Sequence, residues 1–305
     1  MRQHVKRLAI NFFSHLLIDD RVTSWALTGY LLRDFYQDRV GSAYGLSHSN
    51  KRRLVREFQE INERVPSATQ WPCYVLMARA ILEIPRAAQG QIVECGAYKG
   101  ASSAALSLIS KIVGRKLTVC DSFAGLPADE HGAHHTYPHL GVSTKYGPGD
   151  FCGSLLEVRA NIEKYGDISS CDFLPGFFSK SLASLRGPIV FAFLDVDLAS
   201  SMRDCITHLW PLLAPGGLVF TDDSCDMELA RLWFDSSFWS TEVGCAPPGY
   251  VGSGCGLPAL SARYSSLGYT GKFSDEFRNV SFLSPSMNSM TKSVEGSTME
   301  PSKSL

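Results

Sequence analysis

A chain of 305 residues has the length for a full-sized core, built as one large domain or as one domain with an appendage. Its 45% hydrophobic and 19% charged residues are ordinary for a globular protein, and a formal net charge of -1 supplies no field to gather nucleic acid or an anionic membrane surface. The nine cysteines are odd in number, scattered and never spaced C-x-x-C, which argues against a disulfide framework or a thiolate zinc site and for a reducing, cytoplasmic setting.

The first twenty residues join a basic start to an apolar stretch. His15 interrupts that stretch, Asp19 and Asp20 follow it, and no small-residue cleavage site appears, so a first helix is expected rather than a signal peptide. No run reaches the roughly 18 apolar residues that a membrane span needs. Val22, Trp25, Ala26, Gly29, Leu32 and Phe35 or Tyr36 fall at the spacing of one apolar helix stripe. Lys51, Arg52 and Arg53 open a second helix running through Glu63, with the basic triplet read as a solvated face. A third helix is expected around Cys73 to Ile84. Residues 1–88 thus form a helical N-terminal extension, which offers either a dimer contact or a wall for a substrate.

Beyond residue 88 the texture changes. QIVEC, KLTVC, SCDFLP, PIVFAFLD and GGLVFTDD are short apolar runs, separated by helix-like stretches at Ala101–Val113, Ser154–Tyr165, Ser179–Leu185 and Ser200–Leu213. Continuous apolar strands alternating with helices imply an α/β, doubly wound, mostly parallel sheet covered on both faces, over residues 89–283. Within it, residues 126–150 are rich in Gly, Pro and His and read as a long loop over a site. Residues 284–305 hold almost no large apolar groups and are expected to be a disordered tail.

The segment Ile92-Val93-Glu94-Cys95-Gly96-Ala97-Tyr98-Lys99-Gly100 passes from strand into helix with two glycines four apart. A glycine there lets the backbone approach a ligand, and the helix start adds N–H donors. The dinucleotide fingerprint G-x-G-x-x-G is absent, because Tyr98 occupies the position where a second glycine admits a pyrophosphate. S-adenosylmethionine has no phosphate and carries a sulfonium and an ammonium, so the acid Glu94 beside a single tight glycine suits it better. The second strand ends in Asp121, placed either to accept ribose hydroxyls or to close a turn.

The sharpest signal lies further on. One strand ends in Asp195-Val196-Asp197 and another in Asp222-Asp223. Ligands of open α/β sheets bind outside the carboxyl ends of the strands, at the switch point of strand order. Were these two strands neighbours, four carboxylates would converge on the rim that holds Gly96 and Asp121. Crowded carboxylates raise one another's pKa, and a hard cation with oxygen ligands relieves them. The alternative is that Asp197 or Asp223 simply caps the next helix.

VECGAYKGASS, VCDSFAGLP, GDFCGSLLEVRANIEKYGD, FLDVDLASSMRD and WPLLAPGGLVFTDD, in that order over about residues 90–225, resemble the macrocin O-methyltransferase family. The resemblance implies a class I methyltransferase fold, S-adenosylmethionine as methyl donor, Mg2+ as metal, and a sugar or polyol hydroxyl on a small molecule as acceptor. By position it implies Asp195, Asp222 and Asp223 as metal ligands and Asp197 as general base. Glu94, Gly96, Tyr98, Gly100, Asp121 and Ser122 fall at cofactor-binding positions. The family usually reads D-G-D-L-Y-x-S-T at the fourth strand; here Val196, Ala199 and Met202 replace its glycine, tyrosine and threonine while Ser201 is kept. That departure bears on substrate identity more than on chemistry.

His131, His134, His135 and His139 fit no standard zinc spacing and read as part of a mobile polar lid. Pro247–Gly256 is glycine-rich but lacks the G-K-[ST] of a phosphate loop, and reads as a loop at the site rim. Trp233, Phe234, Phe238 and Trp239 are expected to pack as core. Two competing readings stay open from sequence: a nicotinamide-dependent oxidoreductase on the same architecture, and a cofactor-binding scaffold without turnover.

Overall fold

The computed structural model describes residues 28–29, 31–128, 135–137, 142–224, 226–249 and 267–272. Of the apolar stripe expected near the N-terminus, residues 31–35 are helical, with Leu31 and Phe35 buried; Val22, Trp25 and Ala26 lie outside the described residues. The first long helix, α1, spans His48–Arg64. Ser47 caps it: the Asn50 N–H donates to Ser47 Oγ, and Asn50 Oδ1 accepts from the Ser47 N–H. Leu54, Val55, Phe58 and Ile61 form its buried stripe. The basic triplet is not uniformly solvated. Arg52 and Arg53 are exposed, but Lys51 is 1% exposed and its Nζ donates to the Gln37 carbonyl at 2.5 Å. Its position one turn into α1 turns it inward, where a backbone carbonyl of the preceding segment accepts a hydrogen bond from the ammonium. Helix α2, Trp71–Glu83, follows with Pro72 in its first turn, where the missing N–H costs no hydrogen bond.

Five apolar runs form the parallel strands expected of them: β1 (Gln91–Cys95), β2 (Leu117–Asp121), β3 (Cys171–Pro175), β4 (Ile189–Leu194) and β5 (Leu213–Thr221). A sixth, β6 (Gly268–Gly271), pairs antiparallel with β5. The sheet order is β3-β2-β1-β4-β5-β6, so strand order reverses between β1 and β4. Helices α3 (Ala101–Val113), α4 (Leu155–Tyr165) and α6 (Ala199–Leu209) cross between strands. The stretch after β3 is split, with α5 at Phe178–Ser181 and a 3-10 turn at Leu182–Ser184. Part of the stretch read as a loop forms a two-stranded antiparallel ribbon, His135–Tyr137 with Val142–Thr144.

Core residues lie on both faces of the sheet. Alternation along β1 sends Ile92 to the cluster shared with α1, α2 and α3, and Val93 and Cys95 to the cluster beneath α6. The N-terminal helices therefore share a continuous core with the sheet. Trp233, Phe238 and Trp239 join the second cluster as expected, whereas Phe234, at the end of the short 3-10 turn over Arg231–Phe234, is 59% exposed and lies against Gly249 outside that cluster. Cys73, Cys95, Cys120, Cys171 and Cys205 are buried cysteines outside any disulfide. Among the described residues, no helix is long and apolar enough to cross a membrane. The tail 284–305 and His131, His134 and His139 lie outside the described residues, as do the positions beyond Gly249 in the Pro247–Gly256 loop.

Candidate active site

The parallel ladder runs one residue past the strand ends and thereby sets the site. The Asp195 N–H donates to the Cys95 carbonyl at 2.9 Å, the Asp222 N–H to the Leu194 carbonyl at 3.0 Å, and the Gly96 N–H to the Cys120 carbonyl at 3.0 Å. The tips of β2, β1, β4 and β5 are thus held side by side, with Gly96 and Asp195 flanking the switch point. A Cβ on Gly96, whose φ is +90°, would lie 1.7 Å from the Asp195 carbonyl oxygen. Only glycine allows the two tips to approach this closely.

At those tips the acids gather. One carboxylate oxygen each from Asp195, Asp197 and Asp223 lies within 4.8 Å of the others, a spacing that suits oxygen ligands around one hard cation. Asp222 joins the group differently. The Thr69 hydroxyl lies 3.2 Å from Asp195 Oδ2 and 3.3 Å from Asp222 Oδ2. Burial, then Asp222 and Asp223, push the Asp195 carboxyl well above the usual carboxylate range. Burial followed by Asp195 and Asp222 does the same to Asp197, and burial followed by Asp197 and Asp222 to Asp223. The Val196 N–H donates to Asp223 Oδ2 at 3.3 Å, a partial counterweight. Neither Asp197 nor Asp223 caps a helix: Leu198 stands at the start of α6, and Asp226 caps the short helix Met227–Ala230. Asp197 also holds a left-handed backbone, φ 59°, a conformation that aspartate tolerates better than most residues and that concentrates at functional turns.

The residues expected to bind cofactor surround Gly96. Asp121 spends both oxygens on backbone: Oδ2 accepts the Ala97 N–H and Oδ1 the Phe123 N–H, each at 2.6 Å. It ties the turns after β1 and β2 together, and each oxygen keeps a further lone pair for a ligand. Ser122 is used within its own turn, donating to the Gly125 carbonyl at 2.7 Å. Tyr98 sits at φ 45° against Gly153, where a Cβ would meet the Tyr98 carbonyl oxygen at 1.7 Å. Gly100 starts α3 at φ 86°, packed on Val158 of α4.

Glu94 is wholly buried on β1. The Ser103 hydroxyl donates to its Oε2 at 2.5 Å, while Oε1 has no hydrogen-bond partner among the described residues. Burial raises the carboxyl from an ordinary 4.5 to about 7, against hydrogen bonds from Ser102 and Ser103 that lower it. A buried acid with one oxygen unsatisfied suits a cationic ligand group. In the ligand-free protein the folded state holds this proton more tightly than the unfolded chain does. The resulting contribution is therefore neutral below about pH 4.5, grows destabilising between there and about 7, and levels off above. Glu94→Gln is expected to gain up to about 3 kcal/mol at pH 8 and almost nothing at pH 4, read by chemical denaturation at the two pH values.

Sequence reasoning did not find Thr69. It stands between two helices with only a local polar run, Ser67-Ala68-Thr69-Gln70, to mark it. Nothing in that run signals a partner 126 and 153 positions away.

A doubly wound α/β domain with a glycine turn at its switch point and a carboxylate cluster on the neighbouring strand tips has the ligand-site arrangement of open α/β sheets, with oxygen donors that suit a hard cation. The pattern of the Macrocin-O-methyltransferase (TylF) family matches residues 77–237, over half of the chain, and the chain belongs to that family. It is 35% identical over 145 residues to the 8-demethyl-8-(2,3-dimethoxy-alpha-L-rhamnosyl)-tetracenomycin-C 4'-O-methyltransferase of Streptomyces olivaceus, covering 44% of this chain and 52% of that one. It is 28% identical over 141 residues to the Mycinamicin III 3''-O-methyltransferase of Micromonospora griseorubida, covering 45% and 56%. The chain thus spans about half the length of these curated relatives. Among solved structures, that of the O-methyltransferase NovP aligns with 85% of this chain and 100% of its own at 18% identity and a TM-score of 0.46.

Proposed function

We propose that this protein transfers the methyl group of S-adenosylmethionine to a hydroxyl of a sugar or polyol-bearing small molecule, assisted by a divalent cation such as Mg2+, in the cytoplasm. The observation that carries the proposal is the convergence of Asp195, Asp197 and Asp223, with Asp222 one contact away, beside the Gly96 turn. Family membership supports methyl transfer over the nicotinamide-dependent alternative. The name of the Streptomyces olivaceus relative, a 4'-O-methyltransferase of a rhamnosyl-bearing tetracenomycin, supports the acceptor class.

Glu94 and the Gly96–Gly100 turn would take the cationic methyl donor, and Asp121 would keep that turn in shape while offering its remaining lone pairs to a ribose. Asp195, Asp222 and Asp223 would hold the cation. When bound, the cation lowers the pKa of an acceptor hydroxyl and orients it. Asp197, within reach of the same oxygens, would accept the hydroxyl proton. In the cation-free protein, burial followed by Asp195 and Asp222 raises its affinity for a proton. The oxygen attacks the methyl carbon in line with the departing sulfur, and most of the acceleration would come from holding the three atoms aligned.

The test uses labelled S-adenosylmethionine, a panel of glycosylated natural products and product mass analysis, with Mg2+ or with chelator. Asp222→Asn is expected to bind S-adenosylmethionine as the unaltered protein does and to lose about 10²–10³-fold in Mg2+-dependent turnover, the scale of a few kcal/mol of lost charge stabilisation. Full activity of that variant in chelator would remove the cation from the reaction.

A further inference from the structure

Thr69 is an unusual guest in the acid cluster, because it comes from the segment between α1 and α2 and not from a strand tip. It also lies outside the matched residues 77–237. Its side chain is 1% exposed. Its own backbone is held from several sides. The carbonyl accepts the Ser67 hydroxyl at 3.0 Å, the Tyr74 hydroxyl at 3.0 Å and Asn62 Nδ2 at 3.5 Å. Asn62 Oδ1 in turn accepts the Trp71 N–H at 3.1 Å, which ties α1 to the start of α2. Tyr74 is completely buried. A β-branched side chain has little freedom about χ1, so fixing this backbone fixes the hydroxyl.

That hydroxyl stands almost midway between two carboxylate oxygens, 3.2 Å from Asp195 Oδ2 and 3.3 Å from Asp222 Oδ2. A single proton serves two nearly equidistant acceptors, an arrangement that works as a spacer and not as the partner of either acid alone. We infer that Thr69 is a positioning residue: it sets the separation and facing of Asp195 and Asp222 so that both can ligate one cation. The helical N-terminal region is then a component of the site, supplying the outer contact that orients ligands borne by β4 and β5. This rests on the cation reading above.

Manganese binding to the purified protein, followed by electron paramagnetic resonance without methyl donor or acceptor, tests it, with thermal melting as the check on folding. Thr69→Val removes the hydroxyl at constant shape and is expected to weaken Mn2+ binding about 10–100-fold, the usual effect of losing an outer-shell partner. Thr69→Ser restores the hydroxyl and is expected to bind within about threefold of the unaltered protein, an allowance for the looser rotamer. Should Thr69→Val melt far below the unaltered protein, Tyr74→Phe serves instead. It removes one donor to the Thr69 carbonyl and is expected to weaken Mn2+ binding about fivefold, the size of one ordinary hydrogen bond. Mn2+ binding by folded Thr69→Val equal to that of the unaltered protein, unchanged binding by Tyr74→Phe where that variant serves instead, or a Thr69→Ser variant as weak as Thr69→Val overturns the inference alone. Absence of Mn2+ binding by the unaltered protein overturns the cation reading, and this inference with it.

Discussion

Asp197→Asn is expected to lower kcat about 10²–10⁴-fold, the range lost with a positioned general base, while S-adenosylmethionine still binds. Asparagine is the informative substitution. It keeps the size of the side chain and tolerates the left-handed backbone at φ 59°, so the turn after β4 is retained. The variant carries a second signature that simple damage to the fold would not produce. Asp197 is crowded by Asp195 and Asp222 in a buried setting, so its ionised form works against folding. The folded carboxyl titrates above the unfolded one; its penalty is absent at acid pH and grows as pH rises through the folded value. Removing the charge should therefore leave the cation-free protein more stable than the unaltered one at neutral pH, with no gain near pH 3. Rapid-mix kinetics paired with melting curves in chelator at both pH values checks the two halves. Unchanged kcat would take the base role away from Asp197.

Gly96→Ala is expected to damage the fold severely. The added methyl would stand 1.7 Å from the Asp195 carbonyl oxygen, and the obstacle is backbone, so no rotamer change relieves it. Its φ of +90° adds strain of order 1–3 kcal/mol for any residue with a Cβ. Parting β1 from β4 breaks the ladder at the Asp195 N–H and Cys95 carbonyl, so the cost should exceed about 3 kcal/mol and lower Tm by roughly 10 °C. The turn would also shift relative to Asp195, and any protein that still folds should have lost S-adenosylmethionine affinity. A variant with unaltered melting and binding would mean that the tips do not meet.

The sheet was readable because its central parallel strands are buried on both faces, which leaves an unbroken apolar run such as IVFAFL in the sequence, while the edge strand β3 is only partly covered. The strand-end acids were readable for a related reason, since a carboxylate directly after such a run has nowhere to go but the rim. Helix α3 kept its expected bounds, Ala101–Val113, because glycines 100 and 114 punctuate it with left-handed φ values. What failed to show was everything decided by tertiary contact. The inward turn of Lys51 depends on the Gln37 carbonyl, and the exposure of Phe234 depends on how one short turn ends. The grouping of the acids belongs here too. Sequence order pairs Asp222 with Asp223, yet the acid whose oxygen groups with those of Asp195 and Asp223 within 4.8 Å is Asp197, while Asp222 meets Asp195 through Thr69. No local pattern encodes a hydroxyl delivered from another layer.

The short strand β6 has a meaning for how the chain divides. It arrives more than thirty residues after the family-matched segment ends at 237, yet it covers the outer side of β5, where Tyr269 stacks on Phe220 with ring centroids 5.3 Å apart. A fragment trimmed to the matched span would leave β5 as a bare margin, with open amide and carbonyl groups beside apolar side chains. Such a margin recruits strands from other molecules, so the shortest piece that stays monodisperse must reach past Gly271.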